Sequence, residues 1–468
     1  MKIEQIYTGC LAHGAYYVQS GDAAIIIDPL REVDQYVKKA GENGANIKYI
    51  FETHFHADFV SGHVDLAQKT GASIVFGPTA QTSFDTIVAH DGQEFAFGDV
   101  KMKVLHTPGH TMESSSFLLI DEDDNEKALF SGDTLFIGDV GRPDLAVKSD
   151  LTLQDLAGHL FDSLRNKIMT LPDHVMIYPA HGAGSACGKN MSKETFDTLG
   201  HQRQVNYALR ADMTKEEFIK EVTKGILPPP QYFAKNVMMN KSGYENIDVV
   251  LEKGNVPLDV ETFEAMANHE GTLVLDVRHQ SEFVNGHIPN SVFIGLDGGF
   301  APWVGTLITD LKQPIVLVVD EGRELEAVTR LSRVGYDNTL GYLEGGLESW
   351  IAAGKEVDSL VSISPQQFEQ EYAAGANVLD VRKLGEYQSE HVERATSFPL
   401  DYVNDNINKL DRHAKYFVHC AGGYRSVIAA SILKARGFDK LVDVQQGFKG
   451  IKETGVTCTA YVCPTATL

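Results

Sequence analysis

Short apolar runs, each stopped by glycine, proline or aspartate, set the rhythm of the first part of the chain. Ala23-Ala24-Ile25-Ile26-Ile27 ends at Asp28-Pro29, Tyr49 to Thr53 runs into a histidine-rich stretch, and Val100 to Leu105 ends at His106-Thr107-Pro108-Gly109. Runs of this length, bounded by turn formers, predict buried strands. From Thr195 to about Val222 the pattern becomes charged and helical, and Leu227-Pro228-Pro229-Pro230 stops it. The stretch from Gln231 to Val256 reads as a linker or a docking arm.

Beyond this point the chain repeats itself. Leu273-Val274-Leu275-Asp276-Val277-Arg278 recurs as Asn377-Val378-Leu379-Asp380-Val381-Arg382, an offset of 104 that His287 and His391 share. Gly335-Tyr336 matches Gly437-Phe438 at 102. Several matches at nearly one offset predict two copies of one domain. Within each copy strands alternate with helices, which implies a mainly parallel sheet covered on both faces. With 468 residues, about three domains are expected. The divisions read from the pattern are 1–240, 257–357 and 361–456, with a tail at 457–468.

The formal net charge of -23 argues against a nucleic-acid partner, which would need a basic face. No apolar run is long enough to span a bilayer, and Met1-Lys2-Ile3-Glu4 does not open a signal peptide, so no membrane partner is expected. Five cysteines spread over this length form no disulfide framework. A reducing cytoplasm is the expected setting, where a cysteine in a suitable loop is a candidate nucleophile.

Four clusters carry metal chemistry: Thr53-His54-Phe55-His56-Ala57-Asp58, Thr107-Pro108-Gly109-His110-Thr111, Ser131-Gly132-Asp133-Thr134 and Tyr178-Pro179-Ala180-His181-Gly182. Each follows an apolar run and sits at a turn, where strand ends bring side chains to one rigid edge. In order, spacing and residue type they resemble the metallo-β-lactamase superfamily, which implies an αββα sandwich with metal at the strand edge. Dinuclear hydrolases of that superfamily carry a second histidine right after the aspartate of the first motif. Here that position is Phe59, which cannot ligate, so one metal per chain is expected. The strongest ligand candidates are His54, His110 and Asp133. Two histidines and a carboxylate with open positions match non-haem Fe(II) oxygenases, although zinc would accept the same residues. His56, Asp58 and His181 would then orient the ligands or move protons. Gly141-Arg142-Pro143-Asp144 resembles an element of persulfide dioxygenases, which implies that Arg142 holds the anionic end of a persulfide or shapes its pocket. Cys187, six residues after His181, is a candidate relay thiol near the metal or a small buried residue.

The second repeat contains Val418-His419-Cys420-Ala421-Gly422-Gly423-Tyr424-Arg425-Ser426 followed by a helical run. A strand, a glycine-rich loop and a helix N-terminus converge on the cysteine sulfur, an arrangement that stabilises a thiolate or a persulfide. Arg425 would close the cradle, and Gly422, Gly423 and Ser426 would line it. This resembles rhodanese sulfurtransferases; Asp380-Val381-Arg382, Glu386, His391 and Gln446-Gly447-Phe448 fit their flanking signatures. The first repeat has no cysteine. Aligning Val316–Val319 with Tyr416–His419 puts Asp320 at the cysteine's place and leaves its loop two residues short, so this copy is expected to be a pseudo-rhodanese.

Together these resemblances imply an iron-dependent persulfide dioxygenase joined to a sulfurtransferase. Its substrates would be a low-molecular-weight thiol persulfide and dioxygen, with sulfite and thiosulfate as products, in the removal of sulfide-derived persulfides. Glutathione, coenzyme A, bacillithiol and cysteine all suit the role of carrier thiol. The resemblance also suggests a homodimer or homotetramer. The rivals are a glyoxalase II-type thioester hydrolase with accessory sulfur-carrier domains, which needs two metals, and a non-catalytic sulfur carrier or sensor.

Overall fold

The computed structural model describes residues 1–147, 151–189, 191–226 and 228–463, so Leu227 and the last five residues of the expected tail lie outside it. The chain divides into two units, 1–247 with 332–335, and 248–331 with 336–468.

In the first unit two six-stranded sheets face each other. One runs Lys2–Thr8, His13–Ser20, Ala23–Ile27, Asn46–Glu52, Ser73–Phe76 and Ile87–Val88; the other runs Asp197–Thr198, Met176–Pro179, Glu126–Gly132, Ser115–Ile120, Val100–His106 and Glu94–Phe97. The strand Ala23–Ile27 is buried along its whole length, because alternate residues serve two cores. Ile25 and Ile27 face Phe51, Phe117 and Phe130 between the sheets, while Ala24 and Ile26 pack outward on Tyr36 and Leu66. Helices Asp34–Glu42 and His63–Thr70 cover that outer face. Helices Leu153–Ser163 and Lys215–Thr223 cover the second sheet through Leu160 and Phe218. The layers are helix, sheet, sheet, helix.

The expected helical stretch from Thr195 is broken into Leu199–Val205 and Lys215–Thr223. Thr214 restarts the chain as a helix: its side chain caps the Glu217 amide, and Glu217 caps the Thr214 amide in return. The stretch read as linker or docking arm carries the helices Phe233–Ser242 and Ile247–Gly254. The first of these buries Asn236 and Asn240.

The second unit holds two five-stranded sheets, all parallel and identical in order. The first runs Pro257–Leu258, Thr339–Leu343, Ile315–Val318, Leu273–Asp276 and Val292–Phe293; the second runs Val361–Ile363, Leu441–Val444, Tyr416–His419, Asn377–Asp380 and Thr396–Ser397. The duplication extends to side chains. Arg278 pairs with Asp276 as Arg382 pairs with Asp380, at 2.5 Å in both. His287 stacks on Phe283 as His391 stacks on Tyr387.

Strand pairing corrects the alignment of the cysteine loop. Val318 lies opposite Asp276 as His419 lies opposite Asp380, so Val319, not Asp320, stands where the second repeat has Cys420. The offset is therefore 101 at the strand and 102 at Gly335 and Gly437, which hydrogen-bond equivalently, so the loop is short by one residue rather than two. An unbroken apolar run carries no register of its own; the neighbouring strand sets it.

Candidate metal centre and sulfur site

His54, His110 and Asp133 come from three different strand ends and meet at one edge of the sandwich, with ligand-type atoms all within 4.8 Å of one another. Asp28 accepts the Thr53 amide and hydroxyl, each at 2.8 Å. With its own proton committed, the Thr53 oxygen can accept from His54 Nδ1 at 3.0 Å, which leaves Nε2 as the free lone pair. His110 does the same through Nδ1 and the Arg142 carbonyl at 2.8 Å. The two Nε2 atoms then lie 3.9 and 3.5 Å from Asp133 Oδ2. Buried His110 Nε2 and Asp133 Oδ2 find no hydrogen-bond partner among the described residues. Buried polar atoms left this way are costly, and a cation between them would satisfy both. The donor set therefore fits a metal. Gly141 makes the close packing feasible: a Cβ there would sit 1.9 Å from the Asp133 carbonyl oxygen and 3.0 Å from His110 Nδ1.

The other candidates stand behind these three. His181 bridges two carboxylates, with Nδ1 2.7 Å from Asp133 Oδ1 and Nε2 2.8 Å from Asp58 Oδ2. Burial works against a charge on its ring, but Asp133 and Asp58 overcome it and raise the pKa well above the ordinary histidine value. His56 Nε2 turns instead toward Asp28 at 3.2 Å and Glu52 at 3.6 Å. The Phe59 ring is fully buried, 4.3 Å from His13 and 4.4 Å from His56. Arg142 donates to both oxygens of Asp144, at 2.6 and 2.7 Å, and its amide to the Cys187 carbonyl. Its side chain is thus tied to Asp144 and its backbone to the Cys187 loop. Cys187 lies with Asp58 and His181; burial, then Asp133 and Asp58, push its thiol well above the usual range.

Asn240 was not visible as a site residue. Its Nδ2 donates to the His56 and Phe59 carbonyls at 2.8 and 2.9 Å, and its Oδ1 accepts from the Ser61 amide at 2.9 Å. The helix Phe233–Ser242 thus clamps the loop that follows His54.

In the second repeat Cys420 is buried at the end of Tyr416–His419. The Gly423 amide donates to its sulfur at 3.1 Å, and Ser426 Oγ lies 3.6 Å away. Gly422 is exposed at the mouth. Arg425 closes one side through a bidentate pair with Glu386 at 2.6 and 2.9 Å. The first repeat keeps a cleft of about 830 Å³ around Val319, lined by Arg278 together with Glu282, Asp320, Glu321, Glu324 and Glu344. Its Arg323 turns to Asp297 and Glu326, each at 2.9 Å, so Glu282 lacks the partner that Glu386 has. A cleft of that charge repels thiosulfate or sulfite.

A family model described as the metallo-beta-lactamase superfamily matches residues 8–181, and one described as the rhodanese-like domain matches 259–353 and 364–454. Mitochondrial persulfide dioxygenase ETHE1 of Bos taurus is 31% identical over 210 residues, 44% of this chain and 74% of the relative. The chain belongs to the metallo-β-lactamase superfamily, fused to two rhodanese-like domains. A crystal structure of a metallo-beta-lactamase from Staphylococcus aureus is 33% identical, covers 73% of this chain and 98% of its own, and has a TM-score of 0.65. A hydroxyacylglutathione hydrolase of Tolumonas auensis is 32% identical over 36% of this chain and 60% of its own. These similarities support an enzyme with oxidoreductase and sulfurtransferase domains. No helix among the described residues is long and apolar enough to cross a membrane.

Proposed function

We propose that the chain oxidises low-molecular-weight thiol persulfides to sulfite at one Fe(II) held by His54, His110 and Asp133, and forms thiosulfate by passing sulfane sulfur through Cys420. The observation that carries this reading is the convergence of three buried ligand-type atoms, with Phe59 standing in the sequence where the dinuclear hydrolases place a further histidine. The likeness to a persulfide dioxygenase supports it.

Iron at this triad would supply the redox coupling between persulfide sulfur and dioxygen. The chain's own groups do the rest. Thr53 and the Arg142 carbonyl fix the two imidazoles, and His181 holds a proton between Asp58 and Asp133. The balance is one persulfide, one dioxygen and one water giving one thiol and one sulfurous acid, which ionises to sulfite. In the second rhodanese-like domain the Cys420 thiolate attacks the outer sulfur of a further thiol persulfide, that S–S bond breaks, the carrier leaves as free thiol, and Cys420 holds the sulfur as a persulfide. Sulfite attacks its outer sulfur, the S–S bond breaks, and Cys420 leaves as thiolate. The Gly423 amide and the Ser426 hydroxyl are placed to hold that sulfur's negative charge.

An oxygen electrode with glutathione persulfide, run beside S-lactoylglutathione hydrolysis, tests the reading. Oxygen uptake with no thioester cleavage is expected. Thioester cleavage without oxygen uptake would favour the hydrolase reading, which the likeness to hydroxyacylglutathione hydrolase and the retained Asp58 and His181 support.

A further inference from the structure

The helix Tyr424–Ala435 that follows Cys420 is buried from Ser426 to Leu433 without interruption. A helix lying on one face of a sheet buries a single stripe; one buried all round is covered on its outer side too. Its counterpart in the first repeat, Glu324–Ser332, leaves Leu325 and Glu326 exposed.

The cover is the first repeat itself. Its edge strand Val292–Phe293 lies against this helix, and the Phe293 amide donates to Ser431 Oγ at 3.0 Å. The following turn receives Tyr424. The tyrosine hydroxyl donates to the Gly295 carbonyl at 2.8 Å, and the same carbonyl accepts the Gly298 amide at 3.3 Å. The Tyr424 ring lies edge-on to Phe293 and flat on bare backbone: a Cβ at Gly298 would fall 2.1 Å from Tyr424 Cζ. Tyr424 is also flanked by the two residues that build the sulfur cradle. Gly423 sends its amide to Cys420 Sγ, and Arg425 is locked to Glu386.

We infer that the cysteine-free repeat is a working half of the sulfur-transfer site: its Gly295–Gly299 turn grips Tyr424 and so fixes the Gly423 amide and Arg425 around Cys420. Tyr424 is then a positioning residue, and the first repeat is kept for that grip although its own cleft holds no nucleophile. The inference rests on the reading of Cys420 as the sulfur-accepting residue.

The test uses the full chain and follows thiosulfate: sulfur uptake on Cys420 by intact mass, and KM and kcat for transfer to cyanide. Tyr424→Phe removes only the hydroxyl and is expected to raise KM for thiosulfate about three- to tenfold, the worth of one hydrogen bond, with kcat nearly kept. Gly298→Ala, which drives a methyl into the ring, should raise KM tenfold or more. In a Tyr424→Ala background the ring is gone, and Gly298→Ala should add nothing further. A merely structural change would instead lower the amount of active protein, cutting kcat at constant KM. Wild-type KM in both single variants overturns the inference, as does a Gly298→Ala penalty that is the same with and without the ring. If Gly298→Ala does not fold, Tyr424→Phe still decides. Failure of the wild-type chain to take up sulfur on Cys420 would instead defeat the sulfur-transfer reading on which this one depends.

Discussion

Asp443 offers a test of the sulfur domain's interior that needs no substrate. It lies on the strand Leu441–Val444 and is 3% exposed. Its Oδ2 accepts from Ser362 Oγ at 2.7 Å, and Oδ1 has no hydrogen-bond partner among the described residues. Burial pushes its carboxyl up to about 6 from an ordinary value of 3.8, against the pull of the nearby Ser426 and Ser362 hydroxyls. Because the folded-state value is the higher one, the unfolded chain binds fewer protons between those two limits. Stability is then fullest below about pH 4 and is lost as pH rises through about 6. The difference of about two pH units is worth roughly 3 kcal/mol at neutral pH. Asp443→Asn cannot ionise, so its stability curve should lack that loss. Urea unfolding of both proteins at about pH 4.5 and 7.5, followed by tryptophan fluorescence, measures it. Trp303 and Trp350, the chain's two tryptophans, both lie in the second unit, so the signal reports that unit. Relative to wild type, the variant should gain about 2–3 kcal/mol on going to the higher pH. Equal pH dependence in the two proteins would refute the reasoning, whatever constant offset the amide introduces.

Other outcomes follow from the same geometry. Cys420→Ser should abolish sulfur transfer and leave oxygen uptake largely intact, with sulfite replacing thiosulfate among the products. His110→Ala removes one of the three proposed ligands and should lose most bound iron and oxygen uptake together, measured by metal analysis and an oxygen electrode. Val319→Cys puts a thiol at the structurally equivalent place in the first repeat; its acidic cleft should still keep it from taking sulfur from thiosulfate. Asn240→Ala strands the His56 and Phe59 carbonyls and the Ser61 amide, so a cost of about 2–4 kcal/mol and faster loss of iron to a chelator are expected.

The three side chains that converge at the sandwich edge were legible because histidine and aspartate at strand ends have few other reasons to recur in that order. The duplication was legible because Asp276-Val277-Arg278 and Asp380-Val381-Arg382 keep an ion pair that must stay intact. The cysteine loop of the first repeat was misread by one residue, since Ile315–Val319 is apolar throughout and only pairing with Leu273–Asp276 fixes its register. Asn240 escaped notice because its partners lie about 180 residues away in sequence. Its helix also follows three prolines, which read locally as the end of structure. Tyr424 is ordinary in sequence, and only the packing of one repeat on the other gives it a role.

The central claim is persulfide oxidation at a single iron, and the most direct measurement is activity against bound iron. Protein purified anaerobically from iron-replete cells would be titrated with Fe(II), and oxygen uptake with glutathione persulfide followed at each ratio. The account predicts that uptake rises in proportion to iron and saturates at one equivalent per chain, with one sulfite formed per dioxygen when Cys420→Ser blocks its onward transfer. Saturation only at two tightly bound metals per chain, or full iron occupancy with no oxygen uptake, would contradict it.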